Sequence, residues 1–376
     1  ALETVFYPTN KIRLPVNKEN VIKSGLVKEK DSDLILDYID IDLPESIITK
    51  NQIMMLDILA NNNWERPIYF TGGSYEESEY IWMKDYLQLD GLVYKLVPIK
   101  TSIENNPYEM GRIDSDLMYD IVKKWSWGNS ESDEIYHDPE TRKNSISFRG
   151  NLSRLSEKLI SEGEYEKAEE ILDLAFSKMP IDYYGYYSLW TPLVKSYYDI
   201  GKSEKVKKIV QKLSFKYSDR LSYFSSLEIF NQYDVGEEII SDIERFRNLI
   251  ETIQESGERE ILADQIKSFI SSSEQFNYIY GEYDYYISLS NFLVSLLELN
   301  EVEYSMSVID KIEEQLIRRV SVFSNIDEDE QVYYLEGITS DINQYSRLIN
   351  QIEVYDIDAY NKYDKNLKDM LARMIE

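Results

Sequence analysis

A change of hydrophobic period near residue 146 restricts the fold more than any other feature of this chain. From Ile146 onward the apolar residues recur at helical spacing, and one stretch fits a helix–turn–helix frame of about 34 residues. Counting back from Pro180, the residues Ala175, Leu172, Ala168, Tyr165, Gly163, Leu159, Leu155 and Leu152 fall at its packing positions. Small Ala168 and Ala175 let two helices approach, Gly163 makes the turn between them, and Tyr165 and Leu172 fill the space between. A second frame runs through Trp190, Leu193, Tyr197, Gly201, Val206 and Val210, after an insert at residues 181–186. A third, degraded frame uses Leu289, Phe292, Leu296, Asn300, Val302 and Ile309, with Asn300 in place of the turn glycine. Helices are expected between these frames at residues 236–256 and 258–273. The acidic run Asp327-Glu328-Asp329-Glu330 then breaks the array, and one or two helices cap it.

Residues 1–146 mix strand and helix signals. Residues 11–16 and 38–43 alternate polar and apolar side chains, as half-buried strands do. A short helix is expected from Asp31, with Asp31 or Ser32 as its cap. Thr49 can cap a helix whose apolar positions are Ile53, Met54, Leu56, Leu59 and Ala60, and Asn61-Asn62-Asn63 can end it. Pro67 sets an extended path into Ile68-Tyr69-Phe70, a short apolar run typical of a covered strand. Gly72-Gly73 turns the chain, and a helix and a second strand over residues 92–99 follow. Asn105-Asn106-Pro107 is a loop, Ser115 to Trp125 a helix, and residues 128–133 a polar linker.

The block from Asn63 through Trp64-Glu65-Arg66-Pro67-Ile68-Tyr69 to Phe70, with Tyr86 to Pro98, resembles the soluble C-terminal part of a bacterial membrane-protein family. That family is common in Bacteroidetes and related to protein O-mannosyltransferases. The resemblance continues through Asp116-Leu117-Met118-Tyr119, Trp127-Gly128, Tyr136 with Asp138, and Arg149, and covers roughly residues 6 to 200. It implies that the catalytic acids lie in a multi-spanning region, and no residue of this chain matches them. It also implies that the chain is a piece of a longer protein, placed at the periplasmic face of the inner membrane.

Composition narrows the chemistry. A net charge of −28 argues against nucleic acid and anionic membrane surfaces as partners, since both repel it. Zero cysteines exclude thiol catalysis, disulfides and cysteine-ligated zinc. No apolar run approaches the ~18 residues that span a bilayer. His137 is the only histidine, with no companion base or nucleophile turn, so a loop hydrogen bond is its expected role. Gly72-Gly73-Ser74 lacks the lysine and glycine spacing of a phosphate loop and is followed by Glu76, Glu77 and Glu79. The Asp-x-Asp pairs Asp31/Asp33, Asp40/Asp42 and Asp114/Asp116 have the form that holds a metal on a nucleotide-sugar, but caps and solvated strand faces account for them. Tyrosine is overused, at 32 of 376 residues, and clusters at Tyr183, Tyr184, Tyr186 and Tyr187 and again from Tyr278 to Tyr286. Packing between repeats is its expected role, with a ligand surface as the alternative.

The expected fold class is α+β overall: a small N-terminal α/β domain at 1–146, then an α-α superhelix of tetratricopeptide-like repeats at 147–324, then capping helices at 325–376. The expected function is a non-catalytic extracytoplasmic binding or scaffold module of a membrane glycosyltransferase. The alternatives are a structural cap of the membrane part and an unrecognised enzyme in residues 1–146. No catalytic, metal or cofactor site is expected, and no direct membrane insertion by this chain. The expected partner is a protein, either an acceptor polypeptide or a partner subunit, held in a groove lined by Ser153, Glu157, Ile160, Thr191, Lys195 and Tyr198.

Overall fold

A computed structural model of the chain describes residues 9–43, 47–71, 81–101 and 110–375. The architecture is a small N-terminal α/β region with two small sheets, followed by a mostly helical packed region. The chain divides into two compact units, residues 1–196 and 197–376.

In the first unit, strands β1 (Lys11–Pro15) and β2 (Tyr38–Asp42) pair antiparallel, and their alternation is the one the sequence predicts. Leu14, Ile39 and Ile41 point into the core, while Arg13 faces Asp40 and Lys11 faces Asp42 on the wet side. Arg13 grips Asp40 with two nitrogens, Nε at 2.7 Å and Nη2 at 2.9 Å. Helix α1 (Lys18–Lys23) lies between the strands in sequence, with Asn17 accepting from Asn20 N–H at its start. A 3-10 helix (Glu29–Leu34) stands where a short helix from Asp31 was expected.

Helix α2 (Lys50–Asn62) begins at Thr49 as predicted, its N–H donating to Gln52 Oε1 at 2.8 Å. It ends in left-handed backbone at Asn63 (φ 45°) and again at Trp64 (φ 61°). That double turn swings the Trp64 indole inward, where Nε1 donates to Pro15 O at 2.8 Å. Asn20 Nδ2 meets Asn63 O at 2.9 Å and Asn62 Nδ2 meets Arg66 O at 2.8 Å. The asparagine run thus fixes one corner of the α/β region. The apolar stripe of α2 behaves otherwise than expected. Of the expected positions Ile53 and Met54 are more than half exposed, Ala60 is exposed and Leu56 half-buried, and Leu59 is the only apolar residue of the helix that is buried.

The second sheet has the order β3-β5-β4, from β3 (Tyr69–Thr71), β4 (Leu87–Asp90) and β5 (Val93–Leu96), all antiparallel. Two expectations need correction. Strand β3 is an edge strand with Tyr69 half exposed, because it pairs on one side only. Strand β4 was not expected at all; it forms a hairpin with β5 through Gly91, at φ 72°. The Gly72-Gly73-Ser74 and Asn105–Pro107 turns lie outside the described residues. The sheets are joined where Asp40 N–H donates to the Tyr86 hydroxyl at 3.1 Å and Leu36 N–H to Pro98 O at 3.0 Å.

Helix α3 (Ser115–Val122) is capped by Asp114, whose Oδ1 accepts from Leu117 N–H at 3.2 Å. Helices α4 (Pro139–Ser161) and α5 (Tyr165–Lys178) form the predicted hairpin. Leu152, Leu155, Leu159, Ala168, Leu172 and Ala175 are fully buried, whereas Tyr165 is half exposed and fills no interhelix space. Gly163 sits at φ 79°, and Glu164 N–H closes the turn on Leu159 O at 2.9 Å.

After α6 (Ile181–Tyr184) the insert becomes a strained connection, with Gly185 at φ 61° and Tyr186 at φ 47°. Arg149 holds it. Its guanidinium is fully buried and donates to Gly185 O at 2.8 Å, Tyr186 O at 3.3 Å and Ser145 Oγ at 2.8 Å. It also lies 5.0 Å from the Trp190 ring centre. Burial pushes Arg149 down to about 10, so it stays protonated at neutral pH. Helix α7 (Thr191–Asp199) carries the boundary between the units.

The second unit contains α8 (Ser203–Ser225), α9 (Ile229–Asp234), α10 (Gly236–Glu255), α11 (Leu262–Ser273), α12 (Asn277–Tyr280) and α13 (Glu282–Ile287). It closes with α14 (Ser290–Glu298), α15 (Val302–Ser324), α16 (Glu328–Ile352) and α17 (Ile357–Ile375). A ladder of rings runs through it, Tyr217 to Phe246 at 5.4 Å, Phe246 to Phe269 at 5.4 Å and Phe269 to Phe292 at 5.6 Å. The turn at Gly163 recurs at Gly201 (φ 72°) and Asn300 (φ 66°). In each the following residue bonds back five positions, Lys202 to Tyr197 at 2.9 Å and Glu301 to Leu296 at 2.8 Å.

Replacing Gly163 by Val should cost about 1 kcal/mol or more, through the positive φ alone, since a Cβ there meets no atom within 4 Å. Ala168→Leu should cost roughly 1–3 kcal/mol by overpacking α4 against α5. Unchanged urea midpoints in both would mean that the turn and the close approach contribute nothing. Arg149→Met should cost about 1–3 kcal/mol by stranding the Gly185 and Tyr186 carbonyls. Protease cleavage after Tyr186 should speed up in that variant, and an unchanged rate would remove the latch role.

Candidate functional site

The residues singled out in the sequence are mostly committed to structure. Each Asp-x-Asp pair has carboxylates bound by cations: Asp40 by Arg13, Asp42 by Lys11 at 3.0 Å, Asp31 by Arg112 at 2.6 Å, and Asp116 by Lys30 at 2.9 Å. Among the described residues no group of three or more histidine, cysteine or carboxylate side chains is placed to hold a metal. His137 is buried, with Nε2 3.0 Å from Ser132 O and its ring stacked 5.4 Å from Tyr183. It organises the linker, which Tyr184 also pins by donating to Ser130 O at 2.9 Å.

Of the six groove positions, Ser153 and Thr191 are buried, so they do not line an open surface. Ser153 donates to Glu157 Oε1 at 2.9 Å, one turn on along α4. Glu157 and Lys195 are exposed and Ile160 is half-buried. Tyr198 falls in the second unit, half-buried, and burial raises its hydroxyl pKa. Of the tyrosine clusters, Tyr184, Tyr283, Tyr285 and Tyr286 are buried packing residues.

A site not anticipated from the sequence lies in the first unit. It is a cleft of about 580 Å³, and four separate stretches of chain build its walls. The 3-10 helix supplies Lys30, Asp31 and Leu34, and the segment after β5 supplies Ile99, Lys100 and Thr101. Arg112 to Ser115 enter on the way into α3, and Lys158 and Glu162 come from the end of α4. Backbone pairing sets Arg112 beside β4, with Arg112 N–H on Leu87 O at 2.9 Å and Leu89 N–H on Arg112 O at 2.8 Å. Thr101 N–H is tied to Asp85 O at 2.8 Å.

The cleft mixes charges of both signs. Asp114, almost wholly buried, meets Lys28 Nζ at 3.1 Å, and Lys158 meets Glu162 at 3.0 Å. Ser115 Oγ also donates to Glu162. Each of the three carboxylates is paired with a cation, Asp31 with Arg112, Asp114 with Lys28 and Glu162 with Lys158. Two donors are unspent. Arg112 Nη1 and Thr101 Oγ1 are shielded from solvent with no hydrogen-bond partner among the described residues. The arrangement suits binding of a polar molecule. Sequence patterns could not reveal it, because its parts are scattered from residue 30 to residue 162 and no local motif joins them.

At the rim, hydrogen bonds from Lys30 and then Lys167 pull the Asp116 carboxyl down to about 2. A depressed folded value means that its stabilisation is complete above the unfolded carboxylate value, about 3.9, and fades as pH falls toward 2. The group is half exposed, so the contribution is small and weakened by salt. A carbon-13 titration should place Asp116 near 2; a midpoint at the ordinary aspartate value would show that Lys30 and Lys167 do not hold it.

Comparison with known proteins identifies part of this unit. Residues 2–117 match the family described as TMEM260-associated domain 2. The match takes in both sheets, the Asn63–Phe70 block and three of the four stretches that line the cleft. No curated protein and no solved structure matches the chain. Among the described residues no helix is long and apolar enough to cross a membrane.

Proposed function

We propose that this chain is a non-catalytic, extracytoplasmic binding or scaffold module of a membrane glycosyltransferase of the protein O-mannosyltransferase-like kind, at the periplasmic face of the inner membrane. The observation that carries the proposal is the match of residues 2–117 to a TMEM260-associated domain, on the same block that bears the resemblance to the bacterial membrane family. The helical part supplies the binding surface in this reading. Tetratricopeptide-like hairpins expose the first helix of each pair, and Glu157 on α4 and Lys195 on α7 are solvent-facing positions of two such helices. The partner is an acceptor polypeptide or a neighbouring subunit, met through exposed charges that set encounter rate and selectivity.

The competing assignment is a structural cap that only stabilises a membrane domain. A photoreactive residue replacing Lys195, in the protein in its own cell envelope, separates the two. The binding module should capture a discrete protein from position 195 and not from the control position Glu166, an exposed site on α5. Equal capture at both positions, or lipid alone, would favour the cap.

A further inference from the structure

The cleft of the first unit supports an assignment beyond the scaffold role. We propose that it binds a small, hydroxyl-rich monoanion, a sugar acid, with the carboxylate against Lys100, Thr101 and Arg112 and the hydroxyls on the carboxylates of Asp31, Asp114 and Glu162.

The charge balance points to one negative charge. Among the described residues four cations line the cleft against three carboxylates, in a chain whose net charge is −28. Lys100 is the cation left over. It is exposed, its charge acts on Asp40, and it forms no ion pair among the described residues. Beside it, Arg112 has Nη2 committed to Asp31 while Nη1 is unpaired, and Thr101 Oγ1 is unpaired as well. Buried polar groups in native proteins nearly always have partners, so a guanidinium nitrogen and a hydroxyl that are shielded from solvent and unpaired among the described residues are donors that a small turn of the two side chains brings to an acceptor from outside.

The carboxylates decide what else the ligand carries. A bare dianion or a polyanion would be repelled by Asp31, Asp114 and Glu162. Hydroxyl groups donate to such carboxylates without adding charge. Among the described residues the apolar part of the lining is Leu34, Ile99 and Ile113, with no aromatic ring, which disfavours a flat or greasy ligand. The volume, about 580 Å³, lies in the range of small-molecule sites. The ligand is free or glycan-borne rather than a lipid headgroup, because the strong net negative charge opposes approach to an anionic bilayer.

Calorimetric titration of the full chain with glucuronate, glucose 6-phosphate, glucose and inorganic phosphate tests this. Glucuronate should bind in the millimolar range or better, and glucose, phosphate and the dianionic glucose 6-phosphate at least about tenfold more weakly. Lys100→Glu should weaken glucuronate binding by about tenfold or more while leaving the melting temperature unchanged. The matched surface variant Lys143→Glu should leave binding as it was. Absence of glucuronate binding overturns the proposal, as does equal binding of glucose or of glucose 6-phosphate, or a loss no larger in Lys100→Glu than in Lys143→Glu. Binding confined to phosphatidylinositol vesicles, with none of the free compounds, overturns the assignment to a free or glycan-borne ligand.

Discussion

Helix α4 organises the first unit through side chains that donate to backbone carbonyls elsewhere. Asn151 Nδ2 reaches Gly91 O at 2.8 Å, at the turn between β4 and β5. Arg154 reaches Met110 O at 2.9 Å and Gly111 O at 2.8 Å, on the strip that leads into the cleft. Arg149 reaches the carbonyls of Gly185 and Tyr186. The acceptors sit at sharp turns, where a backbone carbonyl lacks a ladder partner and would otherwise be buried unpaired. The helix therefore does more than pack an apolar face. It fixes the sheet turn, the cleft wall and the connection to α7 relative to one another, and its last turn places Lys158 and Glu162 in the cleft.

This stitching also explains the spacing that departs from a regular repeat. A plain helical hairpin needs no insert before the next helix. Here residues 181–186 wrap over the end of the pair, and a buried cation without a carboxylate partner among the described residues is what holds them. Burial of such a charge is expensive, and it is tolerated because several carbonyl and hydroxyl dipoles converge on the guanidinium, with the Trp190 ring nearby.

Much of the fold was legible where local chemistry decides the outcome. The alternation of β1 and β2, the asparagine end of α2 and the left-handed turns at Gly163, Gly201 and Asn300 all follow from residue type at short range. Legibility failed where tertiary context decides. The apolar stripe of α2 signalled burial, yet Ile53 and Met54 face solvent. Strand β4 carries Gln88 and Asp90 between its leucines, and alternation of that kind signals one wet face. Both are buried instead, with Lys95 Nζ 2.9 Å from Asp90 Oδ2 and Gln88 Nε2 2.8 Å from Asp90 Oδ1. The cleft was illegible for the same reason, since pairing Arg112 with β4 and bringing Lys100 near it are long-range events.

The tyrosine excess finds its reason in the charge balance. The chain has 69 acidic against 41 basic side chains, so cations are too few to partner every carboxylate that packing draws inward. A phenol is the alternative donor: it is bulky enough to fill a core and gives up one hydrogen bond at no cost in charge. In the second unit Tyr345 donates to the buried Glu313 at 2.9 Å, while Tyr363 joins Lys362 on the exposed Asp310 and Tyr286 joins Lys311 on Glu274. Burial, reinforced by those carboxylates, raises all three phenols well above their ordinary range. A phenol of ordinary value, about 10, already keeps its proton at physiological pH, and the upward shift widens that margin. Lysine or arginine at the same positions would neutralise the acids but would carry a second charge into the core, with its own desolvation cost. Tyrosine thus serves this acidic helical protein at interior helix contacts in more than one way: Tyr345 satisfies the buried Glu313, whereas in the clusters Tyr184 and Tyr283 donate to backbone carbonyls and Tyr286 shares Glu274 with Lys311.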